Sequence, residues 1–187
     1  MKDYKTISLA EARRDYLASS TTGMPIAGFI AWSALAIIAF VLGDTMPTWI
    51  PFVAAAIPFP LALLIDKLRG EPGIQAESRA NPVTQLFMRF IFVVALLIPF
   101  VIIAATEAQN LDLLVLGLAI LAGLVWVPHG WGADDPAGFI HFIIRAALCY
   151  AVYLFAPEAI RAAAVAAAAA ATYIYAIAAM KKPASVR

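Results

Sequence analysis

The chain has 187 residues, of which 64% are hydrophobic, with a mean hydropathy of +0.88 and a formal net charge of +1. Soluble globular domains are roughly half apolar, so this composition excludes a soluble enzyme domain and points to a chain that uses the membrane as solvent. The near-zero net charge gives no footing for nucleic-acid binding, and a single cysteine, Cys149, excludes an internal disulfide.

Residues 1–22 form an N-terminal arm that carries Lys2, Lys5, Arg13 and Arg14. Within it, Ser8-x-x-Glu11 has the pattern of a capping box, and Ile7, Leu9, Tyr16 and Leu17 are expected to share a face. The pattern predicts a short helix along the membrane interface, with a disordered basic tail as the competing reading. Residues 23–182 then hold six apolar runs long enough to span a bilayer, near 25–43, 49–65, 83–105, 111–127, 138–155 and 159–180. The first run lacks a small-residue cleavage site and is read as a retained helix. The second has Pro51 in its first turn and carries Pro58 and Pro60 at its centre. Each proline removes a backbone donor and clashes with the preceding turn, so this helix is expected to break or kink near residues 54–60. Freed carbonyls in lipid must face protein or a wet cavity, which makes Pro58 and Pro60 a candidate gate.

The loop after the second run carries Lys67, Arg69 and Arg79, and closes on Asn81-Pro82, a cap and first-turn pair for the third helix. Asp135-Pro136 repeats the device before the fifth. The sixth run is almost all alanine over residues 162–171, a smooth surface that lets backbones approach closely, either inside the bundle or at a homo-oligomer seam. Residues 183–187 form a tail. With Lys181, Lys182 and Arg187 beyond the sixth span, every Lys and Arg outside the spans falls on one side of a six-helix topology. The positive-inside rule then makes both termini cytoplasmic. The expected fold is an all-α integral membrane protein of six transmembrane helices with a proline-broken second helix. Its alanine-rich composition points to the cytoplasmic (inner) membrane of a bacterium.

Basic and protonatable groups gather at one depth. Arg89 and Arg145 each fall roughly 10 Å inside the cytoplasmic boundary, at ~1.5 Å per residue. His141 lies one turn before Arg145 on the same face, and His129 closes the fourth helix between Trp126 and Trp131. A charge at a span's centre carries an insertion cost of roughly 2.5–3.5 kcal/mol. The two arginines therefore either snorkel singly to the interface or share a pocket. A shared pocket would be lined by Arg89, His129, His141, Arg145, Asp66 and Trp131, and its surplus charge would favour an anion, since guanidinium forks match carboxylates and phosphates. A second reading takes His129, Asp134, Asp135 and His141 as metal ligands, although their spacing matches no zincin pattern and the arginines oppose a cation.

The basic start, the proline-broken second helix, Asn81-Pro82 and Trp126-x-Pro128-His129 together resemble an uncharacterised family of small bacterial polytopic membrane proteins, a domain of unknown function. That resemblance implies a membrane bundle and brings no activity, cofactor or catalytic residue. The residues themselves favour a protein, not an enzyme, that binds or transports an anionic small molecule or lipid head group on the cytoplasmic side, with membrane lipids as its surroundings. An intramembrane metalloenzyme and a structural or regulatory subunit of a membrane complex stand as alternatives.

Overall fold

The computed structural model describes residues 4, 6–71, 73, 74 and 76–183. Lys2, Lys5 and Arg187, three of the basic residues used to orient the chain, lie outside them. An N-terminal helix α1 (Leu9–Ala18) precedes α2 (Met24–Leu42), α3 (Trp49–Ala56), α4 (Pro58–Leu68), α5 (Pro82–Glu107), α6 (Leu111–Leu124), α7 (Trp126–Gly132), α8 (Ala137–Phe155) and α9 (Arg161–Ala179). Among the described residues these elements build six helices long and apolar enough to cross a membrane: Met24–Thr45, Trp49–Leu68, Pro82–Glu107, Leu111–Gly132, Ala137–Phe155 and Glu158–Ala179.

The second span breaks where the prolines dictate. Ile57 separates α3 from α4, and Pro58 and Pro60 cannot donate to the turn before them. The break is gentle, because Ile57 keeps near-helical angles (φ −66°, ψ −23°) and its own N–H still reaches the Val53 carbonyl at 2.9 Å. The fourth span breaks as well, at Val125 between α6 and α7, where Pro128 withholds its donor from the preceding turn. Pro99, by contrast, sits inside α5 without interrupting it.

Capping fixes the ends. Ser8 accepts from the Glu11 N–H at 3.2 Å and starts α1 as the capping box predicts. Asn81, fully buried, accepts from Val83 N–H at 2.9 Å and donates to the Ala12 carbonyl at 2.8 Å, so it starts α5 and holds α1 against it. Asp66, 1% exposed, accepts from the Gly23 N–H at 2.8 Å and the Thr22 N–H at 3.1 Å, with a further bond from the Thr22 hydroxyl. The carboxylate that ends α4 thus caps the start of α2. Asp135 accepts from Ala137 N–H at 3.0 Å and Lys181 N–H at 2.7 Å, and the Lys181 ammonium donates to the Asp134 carbonyl. Arg13 pairs with the Asp134 carboxylate at 2.8 Å. The chain's two terminal segments therefore meet at the loop between α7 and α8, at the same end of the bundle.

The alanine helix α9 is the centre of the packing, most extensively against α2 and α8. Ala163, Ala166, Ala169, Ala170 and Ala176 are buried within the single chain, while Ala167 and Ala171 remain exposed. Small side chains let the α2 and α9 backbones close on one another. Gly28 shows how tightly: a Cβ there would fall 2.3–2.7 Å from the Tyr173 ring and hydroxyl.

Asp66 supplies a direct test of the capping scheme. Asp66→Ala leaves the buried Gly23 N–H and the part-buried Thr22 donors without this partner, a loss of about 1–3 kcal/mol. The melting temperature in mild detergent is expected to fall by several degrees. Asp44→Ala, an exposed-loop control, should leave it unchanged.

Candidate functional site

Helix α8 buries one stripe, Ala137, Gly138, His141, Arg145 and Cys149, while Phe139, Ile140, Ile143, Ile144 and Leu148 face outward. That inverts the soluble rule, and the reason is the solvent. With lipid outside, large apolar side chains gain nothing from turning inward, and polar ones lose if they turn outward. Arg145 and His141 are each 0% exposed.

Arg145 reaches across the bundle core. Its Nε donates to the Ala119 carbonyl of α6 at 2.8 Å, and its Nη1 donates to the Ala169 carbonyl of α9 at 3.3 Å. The guanidinium lies 4.8 Å from the ring centre of Trp32 on α2 and 5.0 Å from that of Tyr173 on α9. Gly123 makes the passage possible, since a Cβ at that position would sit 2.6 Å from the Arg145 Cδ. No carboxylate among the described residues pairs with this charge; Asp134 and Asp112 pair with Arg13 and Arg161 instead. The Arg145 Nη2, the Trp32 Nε1 and both ring nitrogens of His141 are buried with no hydrogen-bond partner.

Magnitudes separate what is balanced from what is not. Two charge-assisted bonds to carbonyls contribute about 1.5–3 kcal/mol each, and a desolvated ring face about 2 kcal/mol. These offset the roughly 2.5–3.5 kcal/mol of inserting an arginine at a span's centre. They do not neutralise its positive charge, and they leave four buried polar atoms unmatched.

His129 lies on the other side of Trp126. Trp126 contacts His129 with ring centres 5.5 Å apart and His141 at 5.4 Å, both edge-on. His129 Nδ1 shares a 2.9 Å hydrogen bond with the Tyr16 hydroxyl. Burial raises the Tyr16 pKa, so the phenol stays neutral beside the imidazole. Rings thus touch in sequence from Tyr16 through His129, Trp126 and His141 to Tyr173, with centre separations of 5.7, 5.5, 5.4 and 5.3 Å.

The residues that sequence reasoning grouped together separate in space. Arg145 and His141 come together. Arg89 is exposed on the outer face of α5, beside Trp131 along a groove between α5 and α7. Asp66 caps α2. Trp131 lies under the Arg13 guanidinium, 4.6 Å away. His129, Asp134, Asp135 and His141 do not form one ligand set: Trp126 stands between the histidines, Asp134 pairs with Arg13 and Asp135 caps α8. No group of three or more His, Cys, Asp or Glu placed to hold a metal occurs among the described residues. Trp32, Tyr173, Gly28 and Gly123 are the participants the sequence did not single out for the site. The available signal was their depth, because a Trp and a Tyr far from the aromatic belt need a reason to be there.

The two glycine seats give a graded prediction. Gly28→Ala drives a methyl into a rigid ring, and Gly123→Ala into the flexible Arg145 stem. Overpacking of this kind costs about 1–3 kcal/mol. Gly28→Ala is expected to lower the melting temperature in detergent more than Gly123→Ala does.

A family model described as a family of unknown function (DUF7010) matches residues 9–182, and the chain belongs to that family. No curated protein and no solved structure matches it.

Proposed function

We propose that this DUF7010 member is a multi-pass membrane protein that binds a small oxyanion, such as a carboxylate, at the Arg145–His141 cluster inside the bundle. The observation that carries this reading is the buried Arg145 guanidinium, which has two carbonyl partners, two aromatic faces and no counter-ion among the described residues. An oxyanion supplies what the cluster lacks: negative charge for Arg145, and acceptors for Arg145 Nη2, Trp32 Nε1 and a His141 N–H. In a low-dielectric interior such a charge pair is worth far more than at a surface.

The cluster is closed, so a ligand enters only if helices part. The breaks at Ile57 and Val125 provide two places to bend, and the second lies directly before Trp126, which covers His141. Pro58 and Pro60 keep the role of a gate in this reading. The distribution of Lys and Arg supports placing the end that holds Asp134 and Lys181 on the cytoplasmic side, and the alanine-rich composition supports a bacterial inner membrane.

The test is thermal stabilisation of purified protein by sodium formate, acetate, nitrate and phosphate at constant ionic strength. A ligand at a hundred times its Kd stabilises by about 2.7 kcal/mol, so a saturating oxyanion should raise the melting temperature of the wild type clearly. Arg145→Gln should abolish the response, and His141→Gln, which keeps an acceptor and a donor in similar volume, should weaken it about tenfold. The reading fails if no oxyanion stabilises the wild type, or if both variants respond as it does.

A further inference from the structure

A second basic site lies outside the bundle. Leu86, Arg89, Phe90 and Val93 share one face of α5 and, with Pro128 and Trp131 of α7, line a groove of about 440 Å³. Its walls are otherwise apolar, and Leu86, Val93 and Trp131 are all about half exposed (49%, 53% and 46%). The volume falls within the roughly 300–1,000 Å³ of sites that hold small molecules. Arg89 is the groove's only charged lining residue, is exposed, and has no ion-pair partner among the described residues. Trp131 marks the interfacial end, with the Arg13 guanidinium stacked on it. An apolar wall that includes the stem of one exposed arginine, beside a Trp at the interfacial end, matches a molecule with a hydrocarbon chain and a phosphate at one end that the arginine's extended guanidinium can meet.

We propose that this groove between α5 and α7 is a binding site for one anionic phospholipid, with an acyl chain against Phe90, Val93 and Pro128 and the phosphate on Arg89. Charge complementarity selects the occupant. Arg89 lies roughly 10 Å along its span at ~1.5 Å per residue, within reach of the head-group region by extension of its side chain. Arg13 is already paired with Asp134, whereas Arg89, which lines the groove, has no ion-pair partner among the described residues. The site is separate from the oxyanion cluster, and neither depends on the other.

Titration of the detergent-purified chain with phosphatidylglycerol and phosphatidylcholine of identical chains, read by native mass spectrometry, tests it. The wild type should take up one phosphatidylglycerol with about fivefold preference over phosphatidylcholine, the factor that one basic residue near an anionic head group confers. Arg89→Gln should bring the two lipids to equal affinity, Arg89→Lys should retain most of the preference, and Arg145→Gln should leave it intact. sn-Glycerol 3-phosphate, which carries the phosphate without chains, should not displace the lipid. Equal binding of both lipids by the wild type would overturn the proposal. So would unchanged preference in Arg89→Gln, or displacement by glycerol 3-phosphate at equimolar concentration.

Discussion

A guanidinium buried with no carboxylate partner among the described residues organises the centre of this bundle. Arg145 needs donors satisfied and charge spread, so each helix around it contributes a different group. Helix α6 offers the Ala119 carbonyl, α9 the Ala169 carbonyl and the Tyr173 ring, and α2 the Trp32 ring. Those contributions require close approach. Gly123 gives the arginine stem room to pass, and Gly28 gives Tyr173 room to lie against α2. The alanines of α9 serve the same purpose along the whole seam, since bulkier residues would hold the carbonyls out of reach.

Arg89 and Arg145 show what was legible in the sequence and what was not. Their depth and residue type are alike, and a reading based on depth pairs them. Their helix faces differ. Arg145 shares its stripe with His141 and Cys149, while Arg89 shares its own with Leu86, Phe90 and Val93. In a bilayer the polar or small stripe turns inward and the bulky apolar one turns to lipid. That contrast is written in the sequence and distinguishes the two without any structure. The partners of Arg145 are not, because Trp32, Ala119 and Tyr173 are distant along the chain and only the packing of four helices brings them together.

The span count, the capping residues and the break at Pro58 and Pro60 follow from local rules, which is why they could be read directly. Pro128 obeys the same rule as Pro58, but it falls just past the apolar run that ends at Val127, so it reads as the end of a span where the chain instead resumes as α7 and runs to Gly132. Asp135 caps α8 as the Asp135-Pro136 pair predicts. Asp66 looks like a ligand candidate by charge and position, yet it is consumed by backbone donors across the bundle at the start of α2. A carboxylate near the membrane boundary meets unsatisfied N–H groups before it meets any ligand, so capping is its default use.

The break at Val125 lies where it has most consequence. It precedes Trp126, the ring that separates His129 from His141. On one side, the His129–Tyr16 hydrogen bond ties α7 to α1, and Asn81 ties α1 to the start of α5. On the other, His141 and Tyr173 lead to Arg145. An unbroken fourth helix would carry Trp126 as a rigid part of α6. With the ladder interrupted, α7 is positioned by contacts with α1, α5 and α8 as well as by its own helix. Contact alone does not transmit a signal; an element with two arrangements does. His129 and Trp126 lie on the same side of the joint at Val125, so α7 carries both rings as one unit between α1 and α8, and the interruption of the ladder loosens that unit from α6.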